Sequence, residues 1–362
     1  MTVSNRMQVA KLFSVCKLAE NAARQKFIVE ILLALLESKK LQFNELSLHI
    51  DSEAEEISTE RRLQNFFANF EFDYDLVALL LCSFFPRGKV TLCIDRTEWD
   101  FGKYQCNILV ISVYFNGIGI PLYWDLLDNQ SGNSGSTARI DLLKKCIKII
   151  GKDRVLRIVG DREFIGKDWI GYLVREKIGF CLRVPQHHNI LLKNGLTTTI
   201  NELLSANEIR FFQGVIVDGN RCNLFIKKIQ NDYLFLIGNE YSKELGAIYK
   251  LRWSIEVLFQ SCKKRGFDLE STHLKSSNKI KKLLVFVFLA VVICVNTGIL
   301  LHKYKQKIKV KKHGYKANSF FRTGLNAWRR LLKNKIEKVL QECIERVCKI
   351  IEYKIKNWKS MS

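Results

Sequence analysis

No C-x-x-C pair occurs among the eleven cysteines and no pair of the six histidines has metal-ligand spacing, which argues against a zinc ribbon or a secreted disulfide framework. The adjacent His187 and His188 would point to opposite faces of a strand and could not chelate one ion together. The opening MTVSNRMQVA lacks a signal-peptide pattern, so reduced thiols in the cytoplasm are expected. Gly132–Ser136 (GNSGS) lacks the G-x-x-x-x-G-K-[ST] pattern of a phosphate loop, and use of ATP is not expected. Internal repeats and low-complexity linkers are missing too. Acidic side chains are in short supply, 36 against 58 Lys and Arg, which leaves a net charge of +22. Residues 302–362 alone hold 18 basic and 4 acidic side chains, and such an excess points to a polyanionic partner.

What is present is enough for folded cores. At 362 residues and 48% hydrophobic composition, the chain suits two or three domains. Leu283–Leu301 is uncharged over 19 residues, the length of a membrane span. Asn296, Thr297 and Gly298 interrupt it, and lysines flank it on both sides (Lys279, Lys281, Lys282 and Lys303, Lys305, Lys307) with no inside-outside asymmetry. A buried core helix is the expectation, without membrane association.

Residues 8–37 show apolar side chains at helical spacing. Leu41–Ile50 and Ser58–Phe70 read as two short helices around the acidic connection Asp51–Glu56. Ser58 or Thr59 is the expected N-cap of the second, and Arg61, Arg62, Gln64 and Asn65 face outward. That pair fits a helix-turn-helix docking on DNA and equally a plain helical bundle. From Lys89 the texture becomes β-rich: KVTLCID, Gln105–Phe115 and Ile118–Trp124, the last two joined across Asn116-Gly117, a hairpin signal. A helix over Ala138–Ile150, a strand Val155–Gly160, a helix Lys167–Lys177 and a strand Phe180–Val184 give a β-β-β-α-β pattern. A second β-rich stretch runs to about Gly238, and helix resumes at Ser242.

Asp95 ends the first strand and Asp161 follows the fourth, where an α/β sheet presents its site. Each aspartate alone is also a common strand or helix cap. Adjacent parallel strands would bring the pair together. Further on stands Tyr249-x2-Arg252-x3-Glu256-x6-Lys263. At about 100° per residue Arg252, Glu256 and Lys263 fall within about 60° of Tyr249 on one helical face. A solvated Arg252–Glu256 ion pair would account for part of this. Three carboxylates brought close would repel one another, and divalent cations resolve that repulsion and support phosphodiester cleavage. Arg252 and Lys263 are suited to phosphates rather than metals.

In order and spacing, Asp95, Asp161, Glu256 and the Tyr-Arg-Glu-Lys signature resemble the DDE transposases of the YREK type, the insertion-sequence-four family. IDRTEW (Ile94–Trp99), IPLYWDLL (Ile120–Leu127), GDREF (Gly160–Phe164) and KANSFFRTGLNAW (Lys316–Trp328) also resemble family blocks. The resemblance implies an α/β, RNase H-like mixed-sheet core interrupted by a β-rich insertion, with an N-terminal helical, helix-turn-helix-like domain and a basic helical C-terminal tail. The expected division is 1–85 (helical, DNA-binding), 86–184 (core, first part), 185–240 (insertion), 241–301 (core, second part) and 302–362 (tail). It implies a bacterial, cytoplasmic, nucleoid-associated cut-and-paste transposase that binds terminal inverted repeats on double-stranded DNA as a homodimer. Asp95, Asp161 and Glu256 would hold two Mg²⁺ ions, with Mn²⁺ as a substitute. Tyr249, Arg252 and Lys263 would contact DNA, as would Arg61 and Arg62 from the N-terminal helices. Relatives that pass through a DNA hairpin stack a flipped base on a tryptophan of the insertion. None lies between Trp169 and Trp253, and Trp253 is the candidate here, either as that stacking surface or as a helix-packing aromatic. A catalytically decayed DNA-binding protein and a structure-selective nuclease on the same core are the alternatives.

Overall fold

The computed structural model describes residues 17–333, apart from 102–103, 128–133, 205–208, 231, 306, 313 and 315, together with Lys349. In chain order the helices α1 (Ala22–Ser38), α2 (Phe43–Ser47), α3 (Glu56–Asn69) and α4 (Tyr74–Cys82) come first. Then follow β1 (Val90–Phe101), β2 (Tyr104–Phe115), β3 (Ile118–Leu126), α5 (Ser136–Ile150), β4 (Val155–Gly160), α6 (Lys167–Arg175) and β5 (Gly179–Arg183). Short strands β6 (Asn189–Leu191) and β7 (Thr197–Thr199) precede the longer β8 (Ile209–Val217), β9 (Asn220–Ile229) and β10 (Asp232–Gly238). The chain continues with α7 (Leu245–Tyr249), α8 (Trp253–Cys262), α9 (Ser277–Tyr304) and α10 (Phe320–Leu332). Two compact units result: one comprises Met1–Phe84, Asp100–Tyr104 and Phe259–Ser362, the other Phe85–Trp99 and Gln105–Leu258.

In the first unit α1 starts at Ala22, where the Asn21 side chain accepts from the backbone N–H groups of Ala23 and Arg24. Residues 8–16 of the expected helix lie outside the described residues. The helix expected from Ser58 starts earlier, at Glu56 after Glu55, because the carboxylate-rich connection supplies the first turn itself. Arg61 and Arg62 are exposed on it, and the Arg62 guanidinium lies 4.1 Å from the centre of the Phe27 ring. On its inner face Phe66 and Phe67 reach Phe286 of α9, with ring centroids 6.3 and 5.7 Å apart.

Helix α9 contains the apolar run and, over its most apolar window, is 83% buried. The three interrupting residues have packing roles. Thr297 Oγ1 accepts from Trp328 Nε1 of α10 at 3.0 Å, and Asn296 donates to the Val292 carbonyl of its own helix. Gly298 lies against the Phe320 backbone and Gly324 of α10 against the Cys294 carbonyl, so closely that a Cβ on either would fall within 2 Å of a backbone oxygen. Lys282 is fully buried, its Nζ 2.6 Å from Glu71 and donating to the Phe67 carbonyl. Of residues 302–362, Phe320–Leu332 form α10, and residues 334–348 and 350–362, where the rest of the expected helical tail falls, lie outside the described residues.

The ten strands form one sheet in the order β3-β2-β1-β4-β5-β10-β9-β8-β6-β7, so the mixed α/β class is as read from the pattern. β1, β4 and β5 are parallel neighbours. The hairpin between β2 and β3 turns on Asn116 and Gly117, both at positive φ (50° and 83°), as a two-residue turn of this kind requires. The stretch expected as an insertion does not stand apart. Its last strand, β10, pairs antiparallel with β5, with Ile237 opposite Leu182, and so satisfies an edge that would otherwise be bare. Helix α7 packs on this junction through Leu245 and Ile248, which meet Val159, Cys181, Phe225 and Leu236.

Candidate active site

Parallel pairing of β1 with β4 is registered up to Cys93 opposite Val159. Two residues beyond each partner stand Asp95 and Asp161, so the topology delivers both carboxylates to the same end of adjacent strands. Asp95 does not end its strand as expected: β1 runs on to Phe101, because its outer residues still belong to the β1–β2 pairing, and only the pairing with β4 ends there. Each aspartate accepts the next residue's backbone N–H on Oδ1, from Arg96 and Arg162 respectively, at 2.8 Å in both cases.

The helix expected from Ser242 is broken. A 3-10 turn over Ser242–Glu244 leads into α7, and a second over Lys250–Arg252 separates α7 from α8. At three residues per turn, side chains three apart eclipse, which keeps Tyr249 and Arg252 together despite the break. Glu256 follows one α-helical turn after Arg252. The Tyr249 hydroxyl donates to Asp161 Oδ1 at 3.0 Å; Arg252 Nη1 donates to Asp95 Oδ2 at 3.0 Å, and Nη2 to Glu256 Oε1. Hydrogen bonds thus tie five of the sequence-derived residues into two sets, Tyr249–Asp161 and Asp95–Arg252–Glu256, with the Arg252 guanidinium 5.6 Å from the centre of the Tyr249 ring. Lys263 is the first residue after α8, and its Nζ pairs with Glu270 at 2.7 Å.

Burial pushes Asp95 up to about 7; Arg252 and the Arg96 N–H oppose the rise, while Asp161 and Glu163 add repulsion. Burial also pushes the Tyr249 phenol well above its ordinary range, so it remains a donor. The only donors on the three acids are oxygens, the type preferred by Mg²⁺ and Mn²⁺. Among the described residues no cluster of three or more His, Cys, Asp or Glu converges as a ready metal cage; the positive charge between Asp95 and Glu256 belongs to Arg252. The oxygen-only donor set of the three acids is the chemistry that a hard divalent cation takes.

Next to Tyr249 and Arg252 opens a groove of about 810 Å³. Phe211 of β8, Tyr233 of β10 and Trp253 line it, with Lys227, Lys243 and Lys250 among its cations. Trp253 is 57% exposed.

Sequence reasoning passed over a second layer: Arg96, Ser134, Arg139 and Glu163. Glu163 accepts from Arg96 Nε and from Ser134 Oγ, each at 3.2 Å, and Arg139 holds the loop that carries Glu163. The available signal was a charged residue close after each aspartate, Arg96 in IDRTEW and Glu163 in GDREF; Ser134 and Arg139 left none.

The sequence pattern of the family described as "Transposase DDE domain" matches residues 86–293. No curated protein matches the chain. One similar solved structure is a piggyBac transposase synaptic complex with hairpin DNA, 12% identical, with a TM-score of 0.44 over 95% of this chain and 85% of that one. With more than half of its residues under that family pattern, and Asp95, Asp161 and Glu256 all inside the matched span, the chain belongs to the transposase DDE-domain family.

Proposed function

We propose that this protein is the transposase of a YREK-type insertion sequence, built on an RNase H-like core. It binds terminal inverted repeats of double-stranded DNA, pairs two ends as a homodimer in the cytoplasm, then cuts and rejoins them by Mg²⁺-dependent phosphodiester chemistry. The observation that carries this reading is the meeting of Asp95 and Glu256 on one guanidinium, with Asp161 held by Tyr249.

Asp95, Asp161 and Glu256 would hold two divalent ions, which when bound polarise the attacking oxygen and neutralise the leaving one. The Tyr249 hydroxyl and the Arg162 N–H both bond Asp161 through Oδ1. Arg252, already at the edge of the groove, is placed to exchange a carboxylate for a phosphate, a partner that suits its planar fork equally well. The exposed indole of Trp253 offers a face on which an unstacked base can rest, beside the lysines that would neutralise its phosphates. Arg61 and Arg62, exposed on α3, are proposed as outer DNA contacts, and the α2–α3 pair as the helix-turn-helix.

Glu256→Gln tests the reading. Cleavage of end-bearing DNA in Mg²⁺ should fall by at least about 10³-fold, the scale expected when an essential charge-stabilising group is removed, while binding of the same DNA changes little. Cleavage at the wild-type rate would remove Glu256 from the site. Strand transfer of pre-cleaved ends separates a transposase from a nuclease that cuts and stops.

A further inference from the structure

Past Cys93 and Val159 the main chains of β1 and β4 no longer pair, so no ladder hydrogen bond holds Asp95 at a fixed distance from Asp161. A side-chain bridge begins where the ladder ends. Arg96, the residue after Asp95, sends Nε to Glu163 Oε2, two residues after Asp161. Both partners are largely buried, their side chains 14% and 18% exposed, and a pair in that setting is far less screened than one on the surface. Glu163 is itself anchored. Its other oxygen accepts from Ser134 Oγ, which in turn accepts from Arg139 Nε at 2.8 Å. Arg139, 3% exposed at the start of α5, spends its remaining fork on the carbonyls of Glu163 (2.7 Å) and Ile165 (3.0 Å), with the Phe164 ring beneath it at 5.1 Å. The buried cation therefore grips the backbone on both sides of Phe164, immediately downstream of Asp161.

We propose that the Arg96–Glu163 bridge, seated on Ser134 and Arg139, is a brace that sets the spacing of Asp95 and Asp161 for a pair of divalent ions, and that Arg96, Glu163 and Arg139 are positioning residues. The inference rests on the reading of those aspartates as metal-holding groups. Outer partners of this kind commonly control metal affinity by about 10- to 100-fold.

The test is Mn²⁺ binding to the full chain, followed by the electron paramagnetic resonance of the free ion, with circular-dichroism melting as the fold control. Glu163→Gln should weaken Mn²⁺ binding about 10-fold. Arg96→Gln is the decisive variant. Loss of a cation near the site would strengthen Mn²⁺ binding if only charge mattered, whereas loss of the brace weakens it about 10-fold, and the double variant is no worse than either single one. Unchanged or tighter binding by Arg96→Gln overturns the brace. If a variant fails to fold, Ser134→Ala removes one hydroxyl from Glu163 and should weaken binding about fivefold, the equivalent of one hydrogen bond; unchanged affinity overturns the brace again. Wild-type binding that is lost in Asp95→Asn but untouched by all brace variants sinks the brace alone. Wild-type protein that binds no Mn²⁺, or binds it regardless of Asp95, sinks the metal reading and the brace with it.

Discussion

At the scale of single residues, the chemistry is set by how much charge is confined around Asp95. Its carboxyl is raised from the ordinary 3.8 to about 7, first by burial. The neutral form is therefore favoured in the folded state. That contribution to stability is complete below about pH 4 and is lost as the pH rises through 7. Asp95→Asn cannot ionise and should escape the loss. Its melting temperature relative to wild type should climb between about pH 4 and pH 7 and level off above; a difference independent of pH would mean that Asp95 ionises without penalty. Arg252→Ala should weaken end binding and reduce the slope of log K against log salt by about 1, the value of one phosphate contact. Lys263→Ala should change the slope less, because its ammonium is engaged with Glu270. The acids were legible in the sequence through the order of Asp95, Asp161 and Glu256 and the spacing of Tyr249, Arg252 and Glu256, which survive both the longer β1 and the broken helix. Arg96, Arg139 and Glu163 were not, since an ion pair between residues 67 apart leaves no periodicity.

At the scale of elements, the hairpin at Asn116-Gly117 and the alternation of strands with α5 and α6 could be read locally, because turn chemistry and the side-chain period are local properties. The partner of β10 could not. A period-2 pattern states which face of a strand is buried, not which strand lies beside it, and so the pairing of β10 with β5 could not be read from residues 185–240. The 3-10 turn at Lys250–Arg252 was equally hidden, because the residues on either side of it have ordinary helical spacing. The apolar run of α9 had two readings on composition alone, and Gly298 and Thr297 turn out to be the contacts that α10 requires. Gly324→Val should destabilise the chain by about 3 kcal/mol or more in urea unfolding, since the obstructing Cys294 carbonyl is backbone and cannot swing aside. A loss under about 0.5 kcal/mol would show that the two helices can separate freely.

For the molecule as a whole, the ten-stranded sheet dictates the order in which the chain can mature. β5 is made early, yet its outer edge is satisfied only when β10 arrives some fifty residues later. Until then a growing polypeptide carries an uncovered strand of Gly179–Arg183, three of its five residues fully shielded in the finished sheet, and such an edge recruits other strands indiscriminately. Chains truncated before about residue 232 should therefore be recovered in the insoluble fraction on expression, and recovery in the supernatant would show that the bare edge of β5 is harmless. A frameshift ahead of β10 would then remove the protein outright rather than leave a partly working fragment behind.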